Sequence, residues 1–110
     1  MKISTDRLNR ILNDADAAFA RLRELQANIR RVEGEVAAIG ARFEIDGQKP
    51  DASAESEKRR LLNEIAGLRL DEQHARDEAN RAGRIRDNSI GFAKNFRDQL
   101  PTSFRQRISL

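Results

Sequence analysis

The sequence contains no cysteine, no tryptophan and no tyrosine, and its 110 residues include two prolines and six glycines. Without cysteine the chain can form no disulfide, no thiolate metal site and no cysteine nucleophile, a composition that fits a reducing compartment. Because proline and glycine shape the tight turns between strands, their scarcity argues against a sheet. These absences favour long helices.

Long apolar runs are missing as well. The uninterrupted apolar stretches, such as residues 17–20, are far shorter than the roughly 18 residues that indicate a membrane span. The first residues lack the apolar core of a secretory signal. We therefore predict no membrane span and a cytoplasmic location, with leaderless secretion or incorporation into a larger particle left open.

Charge is plentiful but unevenly distributed. Charged residues make up 35% of the chain and hydrophobic residues 38%, and the net charge is +3. Residues 81–110 carry seven basic and two acidic side chains, whereas residues 51–80 carry five and eight. The basic character therefore lies in the last quarter of the chain, and such asymmetry is typical of segments that bind partners.

Apolar residues of the first half recur with the spacing of a coiled coil. One series repeats every seven residues and comprises Leu8, Ala15, Leu22, Ile29, Val36 and Phe43. A second series follows three residues later and comprises Ile11, Ala18, Leu25, Val32 and Ile39. This alternation of three and four predicts a helix over about residues 5–44, capped by Ser4 or Thr5.

A connector and a second helix follow. Gly47 and Pro50 predict a loop over about residues 45–53, and Ser53 is the expected cap of a helix over about residues 54–87. The heptad positions of that helix are Leu61, Ile65, Leu68, Ala75, Ala79 and Ala82. Antiparallel pairing sets Leu61 near Ile39 and Leu68 near Val32, with large residues of the first helix facing alanines farther from the loop. The expected most buried residues of the first helix are Leu22, Leu25, Ile29, Val32 and Val36.

The sequence thus predicts an all-α fold, a long antiparallel helical hairpin over residues 1–87 with a basic C-terminal helix or tail over residues 88–110. A helix break is favoured near Asn88–Gly91, the alternative being a second helix that continues to Leu100. Phe92, Phe96 and Leu100 are spaced to share one helical face.

Candidate catalytic groups are sparse. His74 is the single histidine, and Asp71 and Glu78 lie on its helical face, a pattern that is usually a solvated surface. A long hairpin provides neither the concave pocket nor the oxyanion site of a nucleophilic hydrolase, and no glycine-rich phosphate loop follows a strand. We therefore expect no enzyme activity, no catalytic or metal-binding residue and no cofactor.

The apolar residues are too many for two helices to cover, which favours an interaction or assembly protein that self-associates or docks onto a larger complex. The expected interaction seam comprises Leu8, Ile11, Leu12, Phe19, Leu22, Leu25, Ile29, Val32, Val36, Ile39, Leu61, Ile65 and Leu68. A tail that folds back as a third helix would cover part of this surface. The expected partners are a second copy of the chain or another protein.

The basic tail carries an alternative hypothesis. Its candidate contact residues are Arg84, Arg86, Phe92, Phe96, Arg97, Phe104, Arg105 and Arg107. Arginines beside aromatics can bind phosphates while stacking bases, so nucleic-acid binding is the second hypothesis. Phenylalanines at four-residue spacing are more often interface or core anchors, which favours a protein interface. A third hypothesis is a small inhibitor, for example phage-encoded, that docks its acidic middle around Glu55–Glu78.

In size and predicted hairpin shape the chain is similar to small leaderless secretion substrates of the WXG type and to needle subunits of injection machines. The first family has a Trp-x-Gly turn between its helices, whereas this sequence reads Asp46-Gly47-Gln48 at that place. The similarity is one of shape and assigns the chain to neither family.

Overall fold

A computed structural model of the chain describes residues 4–110. Two long helices, α1 (Asp6–Asp46) and α2 (Ala52–Ala93), are followed by a 3₁₀ helix (Lys94–Gln99) and a short helix α3 (Thr102–Arg107). The long helices pack against each other, which confirms the predicted all-α helical hairpin. None of the helices within residues 4–110 is both long enough and apolar enough to cross a membrane.

The end of α1 is formed by a glycine, as the sequence indicates. Gly47 adopts a φ of 64°, in the left-handed region that favours glycine. The Gly47 amide donates to the Glu44 carbonyl at 3.2 Å, and the Gln48 amide donates to the Phe43 carbonyl at 3.1 Å. This pair of bonds satisfies carbonyls at the helix end in the arrangement of a Schellman motif.

The start of α2 differs from the prediction. Ser53 is already the second residue of α2, which begins at Ala52, and Asp51 provides the cap. The Asp51 Oδ1 accepts a hydrogen bond of 2.7 Å from the Ala54 amide. A carboxylate at this position also interacts favourably with the positive end of the helix dipole. This explains why Asp51, rather than Ser53, caps the helix.

The predicted helix break near Asn88–Gly91 is wrong. The α2 helix continues through Gly91 and ends at Ala93, six residues beyond the predicted boundary at residue 87. The chain then tightens into the 3₁₀ helix, within which Phe96 has non-helical angles (φ −119°, ψ 27°). An isolated glycine inside a helix costs only about 1 kcal/mol relative to alanine, so packing of the flanking residues can carry the helix across it.

Internal contacts divide the chain into two units. The terminal unit consists of the residues up to Ala20 together with Arg76–Leu110, and the loop unit consists of Arg21–Ala75. The sequence segments of the terminal unit carry 11 basic and 7 acidic side chains, whereas those of the loop unit carry 10 and 11. Excess positive charge therefore belongs to the terminal unit.

One buried cluster of the loop unit is aliphatic. Val32, Leu61 and Ile65 are buried, and three further residues of the predicted seam pack against them, namely Val36, Ile39 and Leu68. Ion pairs lie on the surface. Arg69 contacts Glu33 on the other helix at 3.0 Å. The Arg60 guanidinium donates to the Glu57 carboxylate at 2.7 Å, and this bond raises the pKa of Arg60.

Burial along α1 in the loop unit departs from the prediction. Ile29 and Val32 are buried, but Leu22, Leu25 and Val36 are half-buried rather than among the most buried residues. A single partner helix covers one stripe of α1, and the flanks of that stripe keep contact with water. For the same reason Leu62 and Leu70 of α2 stay 47% and 66% exposed.

Candidate functional site: an apolar groove in the terminal unit

The C-terminal segment folds back onto the helices of the terminal unit. Leu12 of α1, Ala93 of α2, Leu100 and Phe104 of α3 form one buried cluster. The partly buried residues packed against it are Leu8, Ile90, Ile108 and Leu110. The C-terminal segment therefore covers part of the apolar surface that two helices alone would leave exposed.

Polar contacts fix α3 on α1. The Arg107 guanidinium donates to Asn9 Oδ1 and to Asn13 Oδ1, each at 2.6 Å, and lies 3.7 Å from the Asp16 carboxylate. These three partners are spaced along one face of α1, as the helical repeat requires. A planar guanidinium can satisfy two neighbouring acceptors at once, which defines the position of α3 along the helix.

The last turn of α3 resembles the end of α1 in its hydrogen bonds. The Ser109 amide donates to the Gln106 carbonyl at 3.2 Å and the Leu110 amide donates to the Arg105 carbonyl at 2.9 Å. Ser109 takes a φ of 59°, a left-handed conformation that is unfavourable for a residue with a side chain. The turn directs Leu110 to the cluster of Phe104.

Phe19 packs where α2 has a buried glycine. A Cβ atom at Gly83 would lie 3.3 Å from two carbons of the Phe19 ring, so the missing side chain makes room for the aromatic ring. The Arg86 guanidinium carbon lies 5.5 Å from the centre of that ring, and Arg86 Nε donates to Asp87 at 3.1 Å. Arg86 is thus part of the packing of Phe19.

On the other flank of the same two helices lies an open apolar groove. Arg7, Ile11 and Asp14, which line the groove, lie on the side of α1 opposite the asparagines that contact α3. Leu8 lies between the two sides and contributes to both. One stretch of the groove, about 520 Å³, is lined by Ser4, Arg7, Leu8, Ile11, Ile85, Asn88, Ser89 and Phe92. A second stretch, about 270 Å³, is lined by Ile11, Asp14, Glu78, Arg81, Ala82 and Ile85. Ile11 and Ile85 are common to both stretches and mark the middle of the groove.

Large apolar side chains stand exposed along this groove. Phe92 is 64% exposed and Ile85 is 44% exposed. The Phe92 ring is held from one side by Phe96, with ring centres 5.1 Å apart. A supported aromatic side chain at the edge of an apolar groove is typical of a binding surface.

Of the three residues predicted to share one face, Phe92 and Phe96 remain in ring contact, whereas Leu100 packs in another cluster. Phe92 is exposed, Phe96 is half-buried and Leu100 is buried in the cluster of Phe104. The expectation of a common face is wrong for Leu100, because the α-helical repeat stops at Ala93 and the tighter 3₁₀ turn rotates the following residues.

The arginines predicted for the tail have different surroundings. Arg107 contacts α1, Arg86 contacts Phe19, and Arg105 is half-buried and donates to Thr102 Oγ1 at 3.1 Å. Arg84 and Arg97 are exposed. Phe104, predicted as an interface or stacking residue, is a core residue of the chain itself.

Sequence reasoning included Leu8, Ile11 and Phe92 among its candidates but did not join them into one groove. The polar lining residues Ser4, Arg7, Asn88 and Ser89 were not predicted. A signal was present in α2, where Glu78, Ile85 and Phe92 follow one another at seven-residue intervals beside the alanines. His74 is exposed on α2, and no group of three potential metal ligands converges within residues 4–110.

No protein-family model, no curated protein and no solved structure shows significant similarity to this chain.

Proposed function

We propose that this protein is a non-enzymatic interaction module that binds a protein surface through the groove of its terminal unit. The observation that carries the proposal is the line of Leu8, Ile11, Ile85 and Phe92, an apolar surface left open on a unit that covers its other flank with α3. Phe104 and Leu12 are already buried within the chain, whereas Phe92 is exposed to solvent. A partner that buries Phe92 therefore gains more binding free energy there than at the other two residues.

Charge around the groove supports binding to a protein. Arg7 and Arg81 are interspersed with Asp14 and Glu78, so the rim carries both signs. Mixed charges around an apolar centre match the usual arrangement of protein interfaces, in which the polar rim selects the partner. The cysteine-free composition suits a cytoplasmic setting, which we include in the proposal.

Nucleic-acid binding has weaker support. Of the five arginines in its predicted surface, Arg86, Arg105 and Arg107 make contacts within the terminal unit. Phosphate binding through Arg84 and Arg97 would weaken with rising salt. We expect no retention of a single-stranded oligonucleotide in a gel shift at low salt. Retention that the double variant Arg84→Ala/Arg97→Ala abolishes would favour the alternative.

Photo-crosslinking in the native cells tests the proposed function. Benzoylphenylalanine in place of Phe92 preserves an aromatic ring in the groove, and the same residue in place of Leu70 is the control, because the two positions are 64% and 66% exposed. We expect a discrete protein adduct from position 92 and none from position 70. No adduct from position 92, or equal adducts from both positions, would overturn the proposal.

A further inference from the structure

The groove has a pseudo-symmetric layout about its middle. On α2, Phe92 lies seven residues after Ile85 and Glu78 lies seven residues before it. On α1, Arg7 lies four residues before Ile11 and Asp14 lies three residues after it. At 1.5 Å per residue, each pair is about equally far from the middle of the groove.

The two stretches of the groove differ in the size of their side chains. The stretch beyond Ile85 carries the exposed ring of Phe92, whereas the other stretch has the small side chain of Ala82 in its lining. Glu78 and Arg81 line that stretch beside Ala82. A ring that reaches it packs against the small alanine and the aliphatic parts of two charged side chains.

The charges on α1 are complementary in the same sense. Arg7 and Asp14 both line the groove and both are exposed. Reversing the direction of a second α1 across the groove places Arg7 opposite Asp14, and it places Asp14 opposite Arg7. On α2 the same reversal places Arg81 opposite Asn88, a donor facing an amide oxygen.

We infer that the occupant of the groove is a second copy of this chain, packed antiparallel about a two-fold axis near Ile11 and Ile85. Phe92 of each copy lies over the stretch of the other that is lined by Glu78, Arg81 and Ala82, and Arg7 of each copy pairs with Asp14 of the other. This inference rests on the proposed function, because it names the partner that the groove binds. A parallel arrangement would bring the two Phe92 rings to the same end and leave the stretch at Ala82 empty.

A two-fold interface repeats each contact twice, which permits a charge-exchange experiment. In an Arg7→Glu homodimer both contacts set the introduced glutamate against Asp14, and in an Asp14→Arg homodimer both set the introduced arginine against Arg7. In a heterodimer of the two variants, one contact pairs the introduced glutamate with the introduced arginine. The other contact pairs the unsubstituted Arg7 of one chain with the unsubstituted Asp14 of the other. Both contacts of the heterodimer therefore join opposite charges. Sedimentation equilibrium of each variant and of their equimolar mixture measures the outcome.

We expect the parent protein to sediment at twice its chain mass of 12.5 kDa at micromolar concentration. The dimer dissociation constant of each single variant should be about tenfold higher than that of the parent. The dissociation constant of the heterodimer in the mixture should equal that of the parent. Arg59→Glu, a charge reversal at an exposed position of the loop unit, is the control and should change nothing. Circular dichroism confirms that each variant is folded.

A parent that stays monomeric at high concentration would overturn the inference, and so would a mixture as weak as the single variants. The proposed function fails separately. A monomeric protein whose position 92 crosslinks to a different protein keeps the interaction proposal and loses the second copy. Absence of both a dimer and an adduct contradicts both proposals.

Discussion

The terminal unit and the loop unit use the same two helices but bury different side chains between them. The loop unit buries Val32, Leu61 and Ile65, whereas the terminal unit completely buries the alanines Ala15 and Ala79. Small residues between helices allow a close approach and leave larger residues on the flanks. In the terminal unit those flanks receive α3 on one side and form the groove on the other.

The comparison shows where a helical hairpin can place a binding surface. In the loop unit the large aliphatic residues are buried where the two helices pack against each other. An alanine seam leaves Ile11, Ile85 and Phe92 available for contacts beyond the pair. We therefore assign stability mainly to Leu61 and its neighbours and to Phe104, and we propose that the groove serves binding.

The largest effect is expected from Phe104→Ala. Phe104 is 4% exposed and joins α3 to Leu12 and Ala93, so its removal leaves a cavity and should cost about 3–5 kcal/mol of unfolding free energy. Urea unfolding measures the loss, and hydrogen exchange should locate it in the terminal unit. Equal loss of protection in the loop unit would show that the two units do not differ in this way.

Leu61→Ala tests the aliphatic core of the loop unit. Leu61 is 2% exposed and contacts Val32 and Ile65, so we expect a loss of about 2–4 kcal/mol. Leu62→Ala is the matched control at the adjacent, 47% exposed position and should cost much less. Thermal melts that rank the two variants equally would contradict the assignment of the core.

Arg107→Ala should have a smaller effect confined to the attachment of α3. It removes two hydrogen bonds of 2.6 Å to Asn9 and Asn13, and because the side chain is about one third exposed we expect a loss of about 1 kcal/mol. Arg107→Lys should keep part of this stabilisation. An ammonium can still donate hydrogen bonds, but it lacks the planar guanidinium geometry that reaches both asparagines. Faster exchange of α3 amides with unchanged exchange near Leu61 is the expected signature.

The smallest effects concern the two left-handed helix ends and have opposite signs. Gly47→Ala forces a side chain into a φ of 64° and should destabilise the protein by about 1 kcal/mol, while Ser109→Gly relieves a φ of 59° and should stabilise it by up to about 1 kcal/mol. Denaturant midpoints measure both. A change of the same sign in both variants would be inconsistent with these backbone conformations.

The sequence predicts the hairpin because heptad spacing is a local signal repeated along each helix. It identifies Leu61, Ile65 and Val32 as core residues for the same reason. The cap at Asp51 in place of Ser53 is a choice between neighbouring residues of similar propensity, which pattern alone does not resolve. Such boundaries depend on which side chain reaches the first free amides.

The candidate site was less predictable because it depends on contacts distant in sequence. Arg107 is separated from Asn9 by 98 residues, and spacing carries no information about such a pair. Once α3 covers Leu12, the groove is defined by what α3 leaves open, namely Ile11, Ile85 and Phe92. Predicting the groove therefore requires the position of the last helix first.

The central claim is that exposed apolar surface serves binding in the terminal unit and has no such role in the loop unit. Phe92→Ala and Leu70→Ala remove side chains that are 64% and 66% exposed, one in each unit. Sedimentation equilibrium over a concentration series compares their dissociation constants with that of the parent. The account predicts that Phe92→Ala weakens the dimer at least about tenfold and that Leu70→Ala leaves it unchanged. The opposite order, or equal effects, would contradict it.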